Sequence, residues 1–159
     1  MKIKVVAVGK IKEPYLVEGI NEYLKRLSAY SKIEIVEVND SKVKDNPNDS
    51  DILKVKVEEG ERILSKIKVT DYVINLDLNQ KQFDSVEFSK FLESKFVEGG
   101  SSITFVIGGS YGLSDAVKQR ANYAITLSKM TFTHQMTRLI LLEQIYRGFK
   151  ILNNETYHK

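Results

Sequence analysis

The strongest local signal in the chain is the stretch Phe105-Val106-Ile107-Gly108-Gly109-Ser110-Tyr111-Gly112-Leu113-Ser114. An apolar run of strand type passes into glycines, and Ser114 is a suitable N-cap for a following helix. In open α/β sheets, ligands bind beyond the carboxyl ends of the strands. Glycine lets a ligand approach the backbone closely, so that free amides act as donors. The stretch predicts a ligand-binding loop, and a plain tight turn is the alternative.

Strands and helices alternate on both sides of this stretch. The apolar patterns predict strands over residues 2–8, 33–38, 72–77, 102–107 and 124–127. They predict helices from Pro14 to about 27, from 52 to 67, after an N-cap at Ser85 up to Gly99, from Ser114 to about 121, and from about 137 to 150. Polar loops are predicted over residues 39–51, 79–84 and 131–137. This alternation predicts one α/β domain over residues 1–159, with a largely parallel sheet and helices on both faces.

The last helix is apolar around nearly its whole circumference, from Leu139 to Leu152. A helix of this kind is buried on all sides. An outer helix of a small domain buries only one face internally, so the pattern predicts a homodimer through this helix. The alternative is a central helix that the domain itself covers.

Composition excludes several classes of site. The 159 residues contain no cysteine, which removes disulfides, zinc fingers and thiol nucleophiles and agrees with a reducing cytoplasm. No signal peptide and no membrane-spanning run is evident. Residues 1–80 hold 14 basic and 14 acidic side chains, whereas residues 101–159 hold seven basic and three acidic ones. A basic C-terminal third suits a polyanionic partner, although an ordinary solvated surface has the same composition.

Other motifs fit less well. The dinucleotide pattern G-x-G-x-x-G and the P-loop are both absent. Residues 108–112 match G-x-S-x-G, the nucleophile elbow of α/β-hydrolases. The possible partners are poorly placed, because Asp115 follows Ser110 too closely and Glu143 leaves only His158, near the end of the chain. The two histidines, His134 and His158, form no recognisable metal motif, so no metal is predicted. Glu143 and Arg147 are spaced as a helix ion pair.

Taken together, several segments resemble the ribosomal RNA large subunit methyltransferase H family of the SPOUT superfamily over nearly the full length. The segments are Val6 to Lys10, Leu76 at a strand end, Ile107 to Ser114, Leu127 to His134, Arg138 to Arg147, and the tail Tyr157-His158-Lys159. Thr156 and Lys159 depart from the family's tail, in which proline precedes the tyrosine and arginine follows the histidine.

The resemblance implies a SPOUT fold, an α/β/α layer whose C-terminal part, residues 72–152, forms a deep trefoil knot and the cofactor site. It implies S-adenosylmethionine as methyl donor and N3 of a pseudouridine in 23S large-subunit rRNA, within the assembled ribosome, as acceptor. The residues implied for the cofactor are Leu76, Gly108, Gly109, Leu127, Ser128, Lys129, Met130, Thr131 and Phe132. Those implied for catalysis are His134, Arg138, Arg147, Tyr157 and His158. Arg138 and Arg147, together with Lys159, are expected to hold phosphate or a carbonyl oxygen.

Two expectations follow from these roles. Bulk at Gly109 is expected to block the cofactor. The candidates to accept the acceptor's proton are His134, Tyr157 and His158. A histidine is favoured because it titrates near neutral pH, whereas Tyr157 is expected to orient the base. A protein that binds ribosomal RNA without catalysis is the competing class, and it differs in ignoring S-adenosylmethionine.

Overall fold

The computed structural model describes all 159 residues. The strands are β1 (Lys2–Val8), β2 (Lys32–Val38), β3 (Val73–Lys81), β4 (Ser102–Ile107) and β5 (Tyr123–Ile125). The helices are α1 (Pro14–Leu27), α2 (Asp49–Leu64), α3 (Ser85–Glu98), α4 (Asp115–Arg120) and α5 (His134–Leu152). The predicted alternation of strands and helices is confirmed.

The five strands form one parallel sheet in the order β2-β1-β4-β3-β5. Its central strands are apolar on both faces: Val5, Val6 and Phe105 have no exposed surface. Such continuous burial requires helices on both sides. Because all strands run in one direction, their carboxyl ends lie along one edge of the sheet.

Two layers of helices cover the sheet. The larger core contains side chains of α1, α3 and α5, and the smaller core, on α2 and α4, includes Val38, Ile63 and Val117. Helix α5 packs against both α1 and α3. The fold class predicted from the sequence, an α/β/α layer, is confirmed, while the knot stays a prediction from the resemblance.

The surroundings of α5 favour the alternative of a central helix. Leu141, Leu142 and Ile145 have no exposed surface, and no residue of the helix is fully exposed. Within one chain, α1 and α3 therefore cover most of the apolar circumference of α5. The homodimer stays a prediction, but the pattern that suggested it has an internal explanation.

Capping places three helix starts differently from the sequence prediction. α5 begins at His134, not near 137, because the Thr133 side chain accepts a hydrogen bond from Met136 N at 3.2 Å. α2 begins at Asp49, inside the predicted loop, because Asn48 forms a capping box with Asp51. The N-cap of α3 is Asp84, not Ser85, because Asp84 forms a capping box with Glu87. Each box supplies acceptors for otherwise unpaired backbone N–H groups.

The end of β3 also differs from the prediction. The strand continues to Lys81, through part of the predicted loop 79–84, with an irregular register against β5. Its extension is held by Thr126, whose N–H donates to Lys81 O at 2.9 Å and whose Oγ1 accepts from Gln80 N at 2.7 Å. The predicted last strand correspondingly ends at Ile125. None of the helices is both long enough and apolar enough to span a membrane.

Candidate active site

The carboxyl ends of β3, β4 and β5 open into a single cleft of about 960 Å³. Three segments form its walls: 76–80 after β3, 107–113 after β4, and 126–137 after β5. Of the predicted cofactor residues, the cleft is lined by Leu76, Gly108, Gly109, Leu127, Ser128, Met130, Thr131 and Phe132. Lys129 is exposed and does not line it. The size suits a cofactor-sized ligand.

The glycine loop, residues 108–112, is a compact turn. Gly112 N donates to Gly109 O at 3.1 Å, and Gly112 has a φ of +88°, which favours glycine. A Cβ at Gly108 would lie 2.8 Å from Leu113 Cδ2. The turn therefore leaves no room for a side chain at that point, and backbone forms this part of the cleft wall.

Gly109 is constrained from the protein side. A Cβ there would lie 2.8 Å from Glu59 Oε1 and 3.2 Å from Val8 Cγ1. A larger residue at 109 would therefore displace the loop against buried neighbours before its bulk filled the cleft. Substitution of Gly109 is therefore still expected to impair the cleft, but the structural reason is the tight packing beneath the loop.

The loop after β5 is fixed to β3 by one buried side chain. Thr126 is buried, and its hydroxyl donates to Asp77 O at 2.7 Å while accepting from Gln80 N. Beyond it, Ser128 Oγ accepts from Met130 N at 3.0 Å, and the Met130 side chain is 75% exposed. The wall is thus rigid at its base, with apolar side chains projecting at the rim.

The charged side chains of the cleft lining are two lysines and one aspartate. Lys118 Nζ lies 3.7 Å from Asp77 Oδ2, whereas Lys56 forms no ion pair. Directly behind Gly109, Glu59 is buried, and its Oε2 accepts from Ser41 N at 3.0 Å while its Oε1 has no hydrogen-bond partner. The sequence analysis assigned no functional role to Lys56, Asp77, Lys118 or Glu59. For Glu59 a signal was available, because it is a charged residue at a position of the apolar stripe of α2.

His134 lies at the mouth of the cleft, in the first turn of α5. Its Nε2 is 3.7 Å from where a Cβ on Gly9 would stand, at the end of β1. Partial burial, together with the charge of Arg138, lowers the pKa of His134 below its ordinary value. A neutral imidazole at this position is suited to accept a proton from a molecule bound in the cleft.

Arg138, the next predicted catalytic residue, is occupied inside the protein. It is 2% exposed, and it donates to Glu37 Oε2 at 2.6 Å and to Gly9 O at 3.2 Å. These contacts join the start of α5 to the ends of β1 and β2. The geometry gives Arg138 a role in placing His134, four residues earlier on the helix, and leaves it no surface for phosphate.

The remaining candidates form a separate group, the tail cluster, consisting of Glu143, Arg147, Tyr157 and His158. Arg147 donates to Glu143 Oε1 at 3.1 Å from Nε and lies 3.1 Å from His158 Nδ1. The Tyr157 hydroxyl lies 3.2 Å from Glu143 Oε1 and 3.2 Å from the Tyr23 hydroxyl. Burial raises the pKa of Tyr157, and the hydrogen bond to Glu143 raises that of Arg147. The tail is thereby fastened to α5.

A second cavity of about 480 Å³ adjoins the cleft. Its lining includes Phe88, Ile140, Gln144 and His158. Thr126, Leu127, Ser128 and Phe132 line both spaces. The segment after β5 therefore separates His134, in the cleft, from His158, in the second cavity.

Ser110 forms no side-chain hydrogen bond with a histidine or an acid, so the geometry gives no support to a hydrolase. The structure contains no group of three or more His, Cys, Asp or Glu side chains suited to a metal ion.

Comparison with known proteins assigns the family. Residues 1–158 match the family model described as predicted SPOUT methyltransferase. The chain is 55% identical to ribosomal RNA large subunit methyltransferase H of Enterococcus faecalis, with 100% of both chains covered. It is 53% identical to ribosomal RNA large subunit methyltransferase H 1 of Clostridium perfringens, again with 100% of both chains covered.

A solved structure supports the fold. A probable methylase family protein from Haemophilus influenzae superposes with a TM-score of 0.52 at 14% identity. The match covers 96% of this chain and 66% of that chain, so this chain spans just under two thirds of the solved one. At this identity the likeness concerns the fold alone.

Proposed function

Because the chain belongs to the SPOUT methyltransferase family, we propose that it transfers a methyl group from S-adenosylmethionine to large-subunit rRNA. The observation that carries the proposal is the single cleft formed by the three strand-end loops, with eight of the nine predicted cofactor residues in its lining. The finer acceptor, N3 of a pseudouridine in the assembled ribosome, is part of the proposal and rests on the family resemblance. We place the reaction in the cytoplasm, where ribosomes assemble.

The lining fits such a cofactor. The adenine requires an apolar slot with backbone hydrogen-bond partners, which Leu76, Leu127 and the glycine loop supply together. The bound cofactor would supply an electrophilic methyl group on a sulfonium. The chain's own residues hold donor and acceptor in line, and positioning of this kind accounts for much of the acceleration in a displacement.

Removal of the acceptor's proton falls to a residue at the mouth of the cleft. His134 is the candidate that lines the cleft, and its lowered pKa keeps the imidazole neutral near physiological pH. Arg138 holds the helix turn that carries it. Within one chain, His158 and Arg147 lie on the far side of the segment after β5, so their proposed role in orienting the base or its phosphate falls to the tail cluster of a partner copy.

The dimer belongs to the same proposal. His134 and Arg147 are 13 residues apart on one helix, which is about 20 Å along its axis. One nucleobase does not contact residues at both ends of that interval, so we infer that a partner copy brings its tail cluster to the cleft. Apolar surface beside the second cavity is provided by Ile140, which is half-buried, and by Phe132, which is 36% exposed.

An Ile140→Lys variant should sediment as a monomer. The control Val97→Lys, at an 81% exposed site, should sediment as wild type does.

The direct test uses radiolabelled S-adenosylmethionine and ribosomes from a strain that lacks this gene. Label is expected in large-subunit rRNA of these ribosomes and not of wild-type ribosomes, whose acceptor is already methylated. A Thr131→Trp variant, which fills the cleft, should lose labelling, and Thr70→Trp, at an exposed site outside the lining, should keep it. Absence of label with folded wild-type protein would favour a non-catalytic ribosome-binding protein instead.

A further inference from the structure

The buried carboxyl group of Glu59 lies outside the predicted site but directly beneath it. Glu59 is 4% exposed and belongs to α2, one turn after the cleft residue Lys56. Its Oε1 lies 2.8 Å from the position that a Cβ on Gly109 would occupy. This oxygen therefore lies directly against Gly109, a residue of the cleft lining.

The position of Glu59 is fixed by its surroundings. Oε2 accepts from Ser41 N, and Arg62, on the same helix, donates to Asn39 O at 2.9 Å and Ser41 Oγ at 2.8 Å. At the next residue, a Cβ on Gly60 would lie 2.3 Å from Ser114 Oγ, so α2 also packs under the far end of the glycine loop. The carboxyl group is thus buried, with one oxygen bound to the Ser41 amide.

Its other oxygen, Oε1, has no hydrogen-bond partner. A buried carboxylate that is one donor short is costly, and natural proteins keep such groups mainly where function requires them. Burial raises the pKa of Glu59, the nearby acids Asp40 and Glu58 act in the same direction, and the Ser41 amide and Arg62 oppose them. The free protein therefore holds a carboxyl group that a nearby positive charge would stabilise in its ionised form.

The charges of the cleft indicate the source of that positive charge. Lys118 and Asp77 offset one another, and Lys56 leaves the lining with one excess positive charge. The proposed cofactor is itself cationic at its sulfonium, whereas its demethylated product is an uncharged thioether. A lining with excess positive charge would disfavour the cofactor relative to the product, unless Glu59 balances it.

We propose that Glu59 is an electrostatic positioning residue that makes the cleft prefer the sulfonium form of the cofactor to the thioether product. It acts through the backbone of Gly109, without contacting the ligand. The missing side chain at Gly109 keeps the separation between the two charges small, in a region from which water is excluded. This inference rests on the proposed function, because it assumes S-adenosylmethionine as the ligand.

Calorimetric titration with S-adenosylmethionine and S-adenosylhomocysteine tests it, using Glu59→Gln and the control Glu58→Gln. Glu58 is the half-buried neighbour on the same helix, and it pairs loosely with Lys54 at 4.0 Å. In Glu59→Gln the ratio of the product Kd to the cofactor Kd should fall on the order of tenfold. In Glu58→Gln it should stay within about twofold of wild type. Equal weakening of both ligands in Glu59→Gln would overturn the proposal, because loss of structure alone affects both.

Proton release by the wild-type protein gives a second readout that needs no variant. In a pH series that reaches the range in which free Glu59 is partly protonated, binding of S-adenosylmethionine should release protons, measured in buffers of different ionisation enthalpy, because the cation favours ionised Glu59. Binding of S-adenosylhomocysteine should release fewer in that range, and equal release at every pH would overturn the proposal. If wild type binds neither ligand, the proposed function itself fails. If wild type binds both ligands and methylates rRNA, but the ratio of the product Kd to the cofactor Kd is the same in Glu59→Gln as in wild type, only the proposed role of Glu59 fails.

Discussion

The cleft and the tail cluster differ in how far their polar groups are already paired. The cleft is lined by the glycine loop, apolar side chains and many polar ones. Lys56 in its lining forms no ion pair, and Glu59 Oε1, buried beneath the glycine loop, has no hydrogen-bond partner. In the tail cluster, Arg147, Tyr157 and His158 each have a partner within 3.2 Å. An unpaired lysine can contact a ligand directly, and a buried unpaired carboxyl group can act on one through the field it creates, whereas paired groups must exchange partners to bind. We infer that the cleft binds the cofactor and, through His134, accepts the acceptor's proton, and that the tail cluster orients the acceptor.

The largest effect should come from removing both histidines. A His134→Ala/His158→Ala variant is expected to lose about 100-fold or more in turnover, the usual contribution of a general base. Its Kd for S-adenosylmethionine should stay within about threefold of wild type, because His134 lies only at the mouth of the cleft. Single-turnover methylation of ribosomes and calorimetry measure the two quantities. Unchanged turnover would remove the histidines from the mechanism and end the division between the two regions.

Arg138→Ala tests the helix that joins the two regions. It removes a buried guanidinium that holds the start of α5 to Glu37 and Gly9. Because Glu37 is partly exposed, we expect a loss of roughly 2 to 3 kcal/mol in the free energy of unfolding. Arg26→Ala, which breaks an exposed pair with Glu22, should cost distinctly less, because solvent screens an exposed pair. Urea denaturation compares them, and equal losses would show that Arg138 is no anchor.

Tyr157→Phe tests whether the tail cluster contributes to cofactor binding in the cleft. The variant keeps the edge-to-face contact with Tyr146, at 4.9 Å between centroids, and loses the hydrogen bonds of the hydroxyl. We expect a cost of about 1 kcal/mol in stability and no change in cofactor affinity. Thermal unfolding and calorimetry serve as readouts. A weakened cofactor Kd would show that the tail contributes to the cleft within one chain.

The smallest effect concerns pH. A general base must be neutral, and burial lowers the pKa of His134, so its neutral form persists to lower pH than usual. Methylation should therefore rise with pH through an acid limb below about 6.5, the ordinary value for histidine. The limb should vanish in His134→Ala and remain in His158→Ala. A limb that follows His158 instead would move the base to the tail cluster.

Local patterns predicted the alternation of the elements, but not the contacts made across the fold. The cap at Thr133 was readable in the sequence, since threonine precedes the first turn of α5, and only the apolar pattern favoured a later start. The continuation of β3 to Lys81 was not readable, because Thr126, 45 residues further on, holds it in place. The ion pair of Arg138 with Glu37 joins residues 101 positions apart, so the sequence alone presented Arg138 as free for phosphate.

The candidate site shows the same limit. The glycine stretch and the family resemblance identified nearly all of the predicted cofactor lining, because these residues follow directly from strand ends. Glu59 was missed because its importance depends on Gly109, a neighbour from another element, and on an oxygen left without a donor. The division between His134 and His158 also required the path of the segment between them.

The place of α5 between α1 and α3 has a consequence for synthesis of the chain. Leu141, Leu142, Ile145 and Phe149 complete the larger core, yet they belong to α5, which is synthesised after the other nine elements of the fold. Until then the apolar faces of α1 and α3 have no cover, and a nascent chain in that state exposes surface that favours aggregation. The larger core is therefore closed only once α5 has been synthesised and released, and termination ahead of His134 would yield a chain without a closed core.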